Sequence, residues 1–103
     1  MSISIVLADD HPVVRRGMQA LLESEPDFSI VGVAADGLET VRLAERLKPD
    51  VLVLDLMMPG LSGLEALRII RERSPRSRIV ILSMYSSSAF VAQALQNGAI
   101  GTF

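Results

Sequence analysis

The sequence predicts an α/β domain built on a doubly wound parallel sheet, and three observations support this class. Short aliphatic runs alternate with segments whose apolar residues recur at helical spacing, which is the pattern of repeated strand-helix units. The strand-like runs are nearly continuously apolar, as expected for parallel strands that helices cover on both faces. The 103 residues, half of them hydrophobic, suffice for one domain with a modest core. We therefore treat 1–103 as a single domain.

The first half of the chain is predicted to contain two strand-helix units. The aliphatic run Ile3 to Ala8 is the first strand, and Pro12 suits the first turn of a helix that ends near Ser24. The second strand is predicted at Phe28 to Ala35, which is rich in β-branched residues. A turn at Asp36-Gly37 then leads into a second helix, which stops before Pro49 and carries Val41, Leu43, Ala44 and Leu47 on one face.

The second half continues the alternation. Val51 to Leu54 is the purest aliphatic run in the chain, and it ends in Asp55. Ser62 is placed to cap the third helix. The remaining predicted elements are a turn at Pro59-Gly60, a fourth strand at Ile79 to Leu82, a fourth helix with Phe90, Val91, Ala94 and Leu95 on one face, a helix end at Asn97-Gly98, and a fifth strand at Ala99 to Phe103.

Four polar side chains follow the predicted strands at the same edge of the sheet. Asp9 and Asp10 close the first strand, Asp55 closes the third and Ser83 closes the fourth. Ligands of open α/β sheets bind outside the carboxyl ends of the strands. The sequence therefore places its chemistry at this edge.

The three carboxylates indicate a divalent cation. Carboxylates that meet repel one another unless a proton or a cation compensates. An all-oxygen acidic cleft suits Mg²⁺, whereas Zn²⁺ favours His and Cys. Asp10 could instead be an ordinary helix N-cap, but that interpretation leaves Asp55 unexplained. His11, a lone loop histidine, is expected to be ordinary polar surface.

Composition excludes several classes of protein. The chain has 10 basic and 12 acidic residues, so it lacks the positive excess that nucleic-acid binding by this segment would need. It has no cysteine, which rules out disulfides and thiolate metal sites and is compatible with a cytoplasmic location. The N-terminus shows no basic leader, so we expect neither a signal peptide nor a membrane span.

Five motifs, in their order along the chain, resemble those of response-regulator receiver domains of two-component systems, particularly the NarL/FixJ (LuxR-type) transcription regulators. The resemblance covers the whole chain and implies a flavodoxin-like (CheY-like) five-stranded parallel sheet of order 2-1-3-4-5. The motifs are Ala8-Asp9-Asp10-His11-Pro12, Leu54-Asp55-Leu56-Met57-Met58-Pro59-Gly60, Leu64-Glu65, Leu82-Ser83-Met84 and Asn97-Gly98-Ala99-Ile100-Gly101.

The resemblance implies a role for each site residue. Asp55 would accept a phosphoryl group from a sensor histidine kinase, and Ser83 would be the switch hydroxyl that then bonds the phosphoryl oxygens. Mg²⁺ would be bound by Asp10 and Asp55 directly, by the backbone carbonyl of Met57, and by Asp9 through water. Such a domain is a phosphoacceptor in signalling rather than an enzyme, and it would control DNA through a helix-turn-helix output domain outside this segment.

The chain departs from the receiver pattern near its C-terminus. Family members carry a lysine at the end of the fifth strand and a fifth helix after it, whereas the only lysine here is Lys48, which precedes the third strand. Thr102 stands where the family often has an aromatic switch residue. We therefore expect a receiver truncated at its C-terminus, without its final helix. The apolar surface that this helix would cover predicts a homodimer, a swapped oligomer or reduced stability.

Three other functions compete with phosphoacceptance. A receiver-like module could act in interaction or dimerisation without phosphorylation, and the absent lysine favours this alternative. A haloacid-dehalogenase-type phosphatase would also use an aspartate at a strand end, but its second aspartate, two residues later, is replaced here by Met57. A flavodoxin-like nucleotide binder would need a phosphate loop after the first strand, where this chain is acidic.

Overall fold

The computed structural model describes residues 2–58, 60–82 and 88–102. Strands and helices alternate along the chain, so the predicted α/β class is confirmed. The elements are β1 (Ile3–Ala8), α1 (Pro12–Glu23), β2 (Phe28–Ala34), α2 (Gly37–Leu47), β3 (Val51–Asp55), α3 (Gly63–Arg73), β4 (Arg78–Leu82), α4 (Ser88–Gln96) and β5 (Gly101–Thr102).

All pairings in the sheet are parallel. Four full strands lie in the order β2-β1-β3-β4, and the two-residue β5 pairs with β4 at the edge. The predicted fifth strand, Ala99 to Phe103, is therefore too long. Ala99 donates its N–H to the carbonyl of Ala94 in the turn that ends α4, so it still belongs to that turn. The strand begins only at Gly101. Phe103 lies outside the described residues.

Successive side chains of β1 and β3 point to opposite faces of the sheet, so a hydrophobic layer forms on each face. Val6 and Ala8 of β1 face the layer built with α2, α3 and α4. Ile5 and Leu7 face the layer built with α1. The strand residues next to the polar edge, Ala8 and Leu54, are completely buried. The central strands are therefore held from both sides where they approach that edge.

The face packed by α1 retains an apolar groove of about 260 Å³. Its lining comes from strands and from α1, and includes Ile5, Met18, Leu22, Phe28, Val53 and Val80. We call this the apolar groove. It marks the part of the sheet that α1 does not cover.

Local capping explains where α2 begins. Asp36, predicted as part of a turn, is the N-cap of α2, and its carboxylate accepts the N–H of Glu39 at 2.8 Å. Glu39 in turn accepts the N–H of Ala35 at 3.2 Å. This reciprocal bonding removes Ala35 from β2, which ends one residue earlier than predicted.

The other predicted helix ends agree with the structure where it describes them. Ser62 caps α3 by accepting the N–H of Glu65. Gly98 has φ +110° after α4, a left-handed conformation that suits glycine. Pro12 occupies the first turn of α1. Pro59 lies outside the described residues, but its neighbour Gly60 has φ +78°.

Candidate functional site

An acidic cluster lies at the carboxyl ends of the two central strands. Ala8 pairs with Leu54 in register, so the residues that follow β1 emerge beside the last residue of β3. Asp9, Asp10, His11 and Asp55 each contribute one potential ligand atom, and these atoms all lie within 4.8 Å of one another. We call these four residues the acidic cluster.

Asp9 is the most deeply buried member, with 1% of its surface exposed. Its Oδ1 accepts two hydrogen bonds, from the backbone N–H and from the ring Nδ1 of His11, both at 2.8 Å. Its backbone is also fixed, because Ala34 accepts its N–H at 3.0 Å and Arg15 Nη1 donates to its carbonyl at 3.0 Å. The second carboxylate oxygen, Oδ2, is buried and accepts no hydrogen bond from the described part of the chain.

Asp10 does not cap α1. The N-cap is His11, whose side chain makes no capping bond, so the interpretation of Asp10 as an ordinary N-cap is wrong. The Asp10 side chain is 28% exposed, and its Oδ1 lies 3.1 Å from His11 Nδ1. That oxygen is buried and accepts no hydrogen bond among the described residues. Asp10 is therefore turned into the cluster and not toward the helix.

Asp55 ends β3 and is also buried. Its Oδ1 accepts the N–H of Met57 at 2.9 Å, which holds the carboxylate against the loop that follows the strand. Burial raises the pKa of Asp55 above its ordinary value, and the negative charges of Asp9 and Asp10 add to this effect. The hydrogen bond from Met57 and the nearby His11 act in the opposite direction. A proton or a cation near Asp55 would thus stabilise the site.

His11 contacts the carboxylates of the cluster more closely than its place in a loop predicts. Its side chain is 41% exposed, yet Nδ1 lies within 3.6 Å of an oxygen on each of the three aspartates. The hydrogen bond to Asp9 raises the pKa of the imidazole, and the charges of Asp10 and Asp55 contribute further. The expectation of ordinary polar surface is therefore wrong. Its position directly after two acidic residues was the available signal.

The cluster fits a hard divalent cation. Its carboxylates supply the oxygen ligands that Mg²⁺ prefers. Two of their oxygens, Asp9 Oδ2 and Asp10 Oδ1, are buried and accept no hydrogen bond in the described part of the chain. Buried polar atoms normally accept hydrogen bonds, so these two oxygens are suited to contact a divalent cation or its bound water. A shallow cavity lined by Asp10 and Met57 leads to this edge of the sheet.

Of the other residues considered for the site, the structure describes Met57 and Lys48 but not Ser83. Lys48 lies at the opposite edge, before β3, where its Nζ donates to the carbonyl of Arg73 at 2.9 Å. Met57 is 47% exposed, and its N–H is the group bonded to Asp55. The chain's one lysine is therefore remote from the cluster.

Comparison with known proteins identifies the family. The sequence profile of the response regulator receiver domain matches residues 5–103. The chain belongs to the response regulator receiver domain family. Receiver domains are signalling domains, and their general function is to accept a phosphoryl group.

Relatives of this receiver domain include a response regulator protein of Escherichia coli and the transcriptional regulatory protein LiaR of Bacillus subtilis. The nitrate/nitrite response regulator protein NarL of Escherichia coli strain K12 is 45% identical over 98 residues, which are 95% of this chain and 45% of that protein. This receiver domain thus spans about half the length of the curated relatives it matches. Within the residues that the structure describes, no helix is both long enough and apolar enough to cross a membrane.

Solved structures show the same fold, a CheY-like parallel α/β sheet. The response regulator domain of Thermotoga maritima CheB has a TM-score of 0.94 at 36% identity, covering all of this chain and 78% of that one. The receiver domain of a sensor histidine kinase from Pseudomonas aeruginosa PAO1 has a TM-score of 0.86 at 30% identity, covering all of this chain and 84% of that one. That second structure holds a magnesium ion in its active-site cleft.

Proposed function

We propose that this receiver domain accepts a phosphoryl group on Asp55 from a histidine kinase, in a reaction that requires Mg²⁺. The observation that carries this proposal is the convergence of ligand atoms of Asp9, Asp10 and Asp55 within 4.8 Å, where two buried carboxylate oxygens accept no hydrogen bond from the described residues. Asp10, Asp55 and the backbone carbonyl of Met57 would bind the ion directly, and Asp9 would bind it through water. The ion would supply positive charge that neutralises phosphoryl oxygens during transfer.

The residues of the chain account for the rest of the chemistry. An Asp55 carboxylate oxygen forms the new O–P bond while the P–N bond to the kinase histidine breaks, and the donor imidazole keeps the electron pair. The Met57 N–H fixes one Asp55 oxygen at 2.9 Å, which restricts rotation of the carboxylate. In-line positioning of this kind supplies much of the catalysis in phosphoryl transfer. Ser83 is proposed as the hydroxyl that then bonds the phosphoryl oxygens.

We further propose that the domain regulates a DNA-binding output module in a longer protein. The relatives that support this are about twice its length, and they include the transcriptional regulatory protein LiaR of Bacillus subtilis. Phosphorylation of Asp55 would then change the affinity of the domain for a partner, which is a second copy or the output module itself. A regulator acting on DNA in this way would work in the cytoplasm.

The test is Mg²⁺-dependent binding of beryllofluoride, a mimic of the aspartyl phosphate, measured by calorimetry and NMR. Wild type should bind saturably, and Asp55→Asn should not. Asp27→Asn is the matched control, because Asp27 is an exposed carboxylate remote from the cluster. Binding that survives Asp55→Asn would remove Asp55 from its role.

A further inference from the structure

The position of His11 has no explanation in the phosphoacceptor reaction itself. The residue is the N-cap of α1, with extended backbone angles of φ −90° and ψ 108°, and Pro12 follows it in the helix. Its backbone N–H and its ring Nδ1 both donate to the same oxygen, Oδ1 of Asp9, at 2.8 Å each. The ring is therefore folded back over the residue two positions earlier instead of extending into solvent.

The same ring nitrogen also reaches the other two carboxylates. His11 Nδ1 lies 3.1 Å from Asp10 Oδ1 and 3.6 Å from Asp55 Oδ2. A magnesium ion binds its oxygen ligands at about 2.0–2.1 Å. An imidazole this close to all three carboxylates fills the space in which such an ion and its bound water would lie. The ring and the ion cannot both occupy it.

We propose that His11 is a built-in occupant of the cation site, which holds the three carboxylates together in the metal-free protein and must swing out when Mg²⁺ binds. This inference rests on the proposed function, because it concerns the same metal site. The 41% exposure of the side chain gives the ring a route outward by rotation about its own side-chain bonds, without movement of the buried strands. His11 therefore weakens Mg²⁺ binding by competition.

The experiment is a Mg²⁺ titration of three proteins at one fixed pH and ionic strength, by calorimetry. His11→Ala removes the occupant and should lower the Kd for Mg²⁺ by about 2- to 10-fold, the range expected when one net hydrogen bond no longer has to be broken. Arg16→Ala is the matched control. Arg16 is an exposed cationic residue of α1, about one helical turn from His11 and outside the cluster. Its removal should change the Kd for Mg²⁺ less than His11→Ala does.

NMR reports the movement of the ring directly. His11 is the only histidine of the sequence, so its ring signals need no further assignment. In the wild type, these signals should shift with Mg²⁺ along the same saturation curve as the backbone amides of Asp10 and Asp55. Should His11→Ala fail to fold, His11→Asn retains a residue that is favourable at an N-cap and should also bind Mg²⁺ more tightly than wild type.

The outcomes are distinct. Tighter binding without the imidazole supports the proposal. Weaker binding would identify His11 as a ligand or a positioning residue of the metal, and equal binding would mean that the ring does not compete. Both results overturn the inference while the proposed function stands. Absence of Mg²⁺ binding in wild type and His11→Ala alike would overturn the inference together with the metal-dependent function.

Discussion

Replacing Asp55 by Asn should stabilise the metal-free protein. The substitution keeps the shape of the side chain, and its oxygen can still accept the N–H of Met57, but it removes one of three clustered charges. Two unit charges 4.8 Å apart repel by about 0.9 kcal/mol in water and about 3.5 kcal/mol at an effective dielectric constant of about 20. Because His11 offsets part of this repulsion, we expect the free energy of unfolding to rise by about 1–3 kcal/mol.

The stability gained by Asp55→Asn should decrease as the pH falls. Burial, followed by the charges of Asp9 and Asp10, raises the pKa of Asp55 in the folded state above the ordinary 3.8. On acidification the folded wild type takes up this proton before the unfolded chain does, and the repulsion is relieved. The advantage of Asp55→Asn is therefore full above the folded pKa, shrinks as pH falls through it, and disappears below about 3.8.

Urea unfolding followed by circular dichroism, with a chelator present, measures this difference. Asp50→Asn is an opposite-sign control at the other edge of the sheet. Its carboxylate accepts the N–H and the hydroxyl of Ser4 at 2.8 and 3.0 Å, and the N–H bond is the main reason that its pKa lies below the ordinary value. Asp50→Asn should thus destabilise the protein above the ordinary carboxyl pKa, with the loss fading in acid.

Two results would refute the electrostatic reasoning. One is a lower free energy of unfolding for Asp55→Asn at neutral pH, and the other is a gain that does not change on acidification. Adding Mg²⁺ gives a further check, because a ligand that binds only the folded state raises its stability. Mg²⁺ should stabilise wild type and leave Asp55→Asn nearly unchanged.

Packing inside the domain gives predictions for three substitutions, and the apolar groove gives one for self-association. Gly63→Ala should cost about 1–3 kcal/mol and weaken Mg²⁺ binding, because its new Cβ would lie 2.5 Å from the Cα of Leu56, next to Asp55. By contrast, Gly17→Ala on α1 meets nothing within 4 Å and should gain about 0.5–1 kcal/mol; urea titration distinguishes the two. Ile70→Ala, in the fully buried core, should cost about 2–5 kcal/mol by the same measurement. A polypeptide of these 103 residues should self-associate through the apolar groove, and a compact monomer at all concentrations in analytical ultracentrifugation would contradict this.

Much of the fold could be predicted because strong periodic signals determine it. The aliphatic runs at β1 and β3, the proline in the first turn of α1 and the Ser62 cap each follow from local chemistry, and the structure agrees with them. The convergence of Asp9, Asp10 and Asp55 on one edge follows from parallel pairing alone. The ends of strands are less predictable. The Ala35 N–H donates to the side chain of Glu39 on α2, and β2 therefore ends at Ala34.

The contacts of His11 could not be predicted in the same way. They depend on a side-chain rotamer that folds a ring back over the two preceding residues, and no periodicity in the sequence encodes a rotamer. The same holds for the reciprocal bonding of Asp36 and Glu39, because the sequence there predicts only a turn. Sequence patterns predicted which residues share an edge, and the structure was needed to show which atoms face one another.

The register between β1 and β3 also determines where the domain can deform. Ala8 and Leu54 are paired and completely buried, with packed layers on both faces, so the roots of the acidic cluster form a stiff base. Strain introduced at Asp55 cannot be relieved by spreading these strands. We expect deformation in the backbone beyond β3 instead, where Gly60 adopts φ +78° and a Cβ added to it would meet nothing within 4 Å. A chemical change at Asp55 should therefore displace the backbone beyond β3, while the strands of the sheet stay in place.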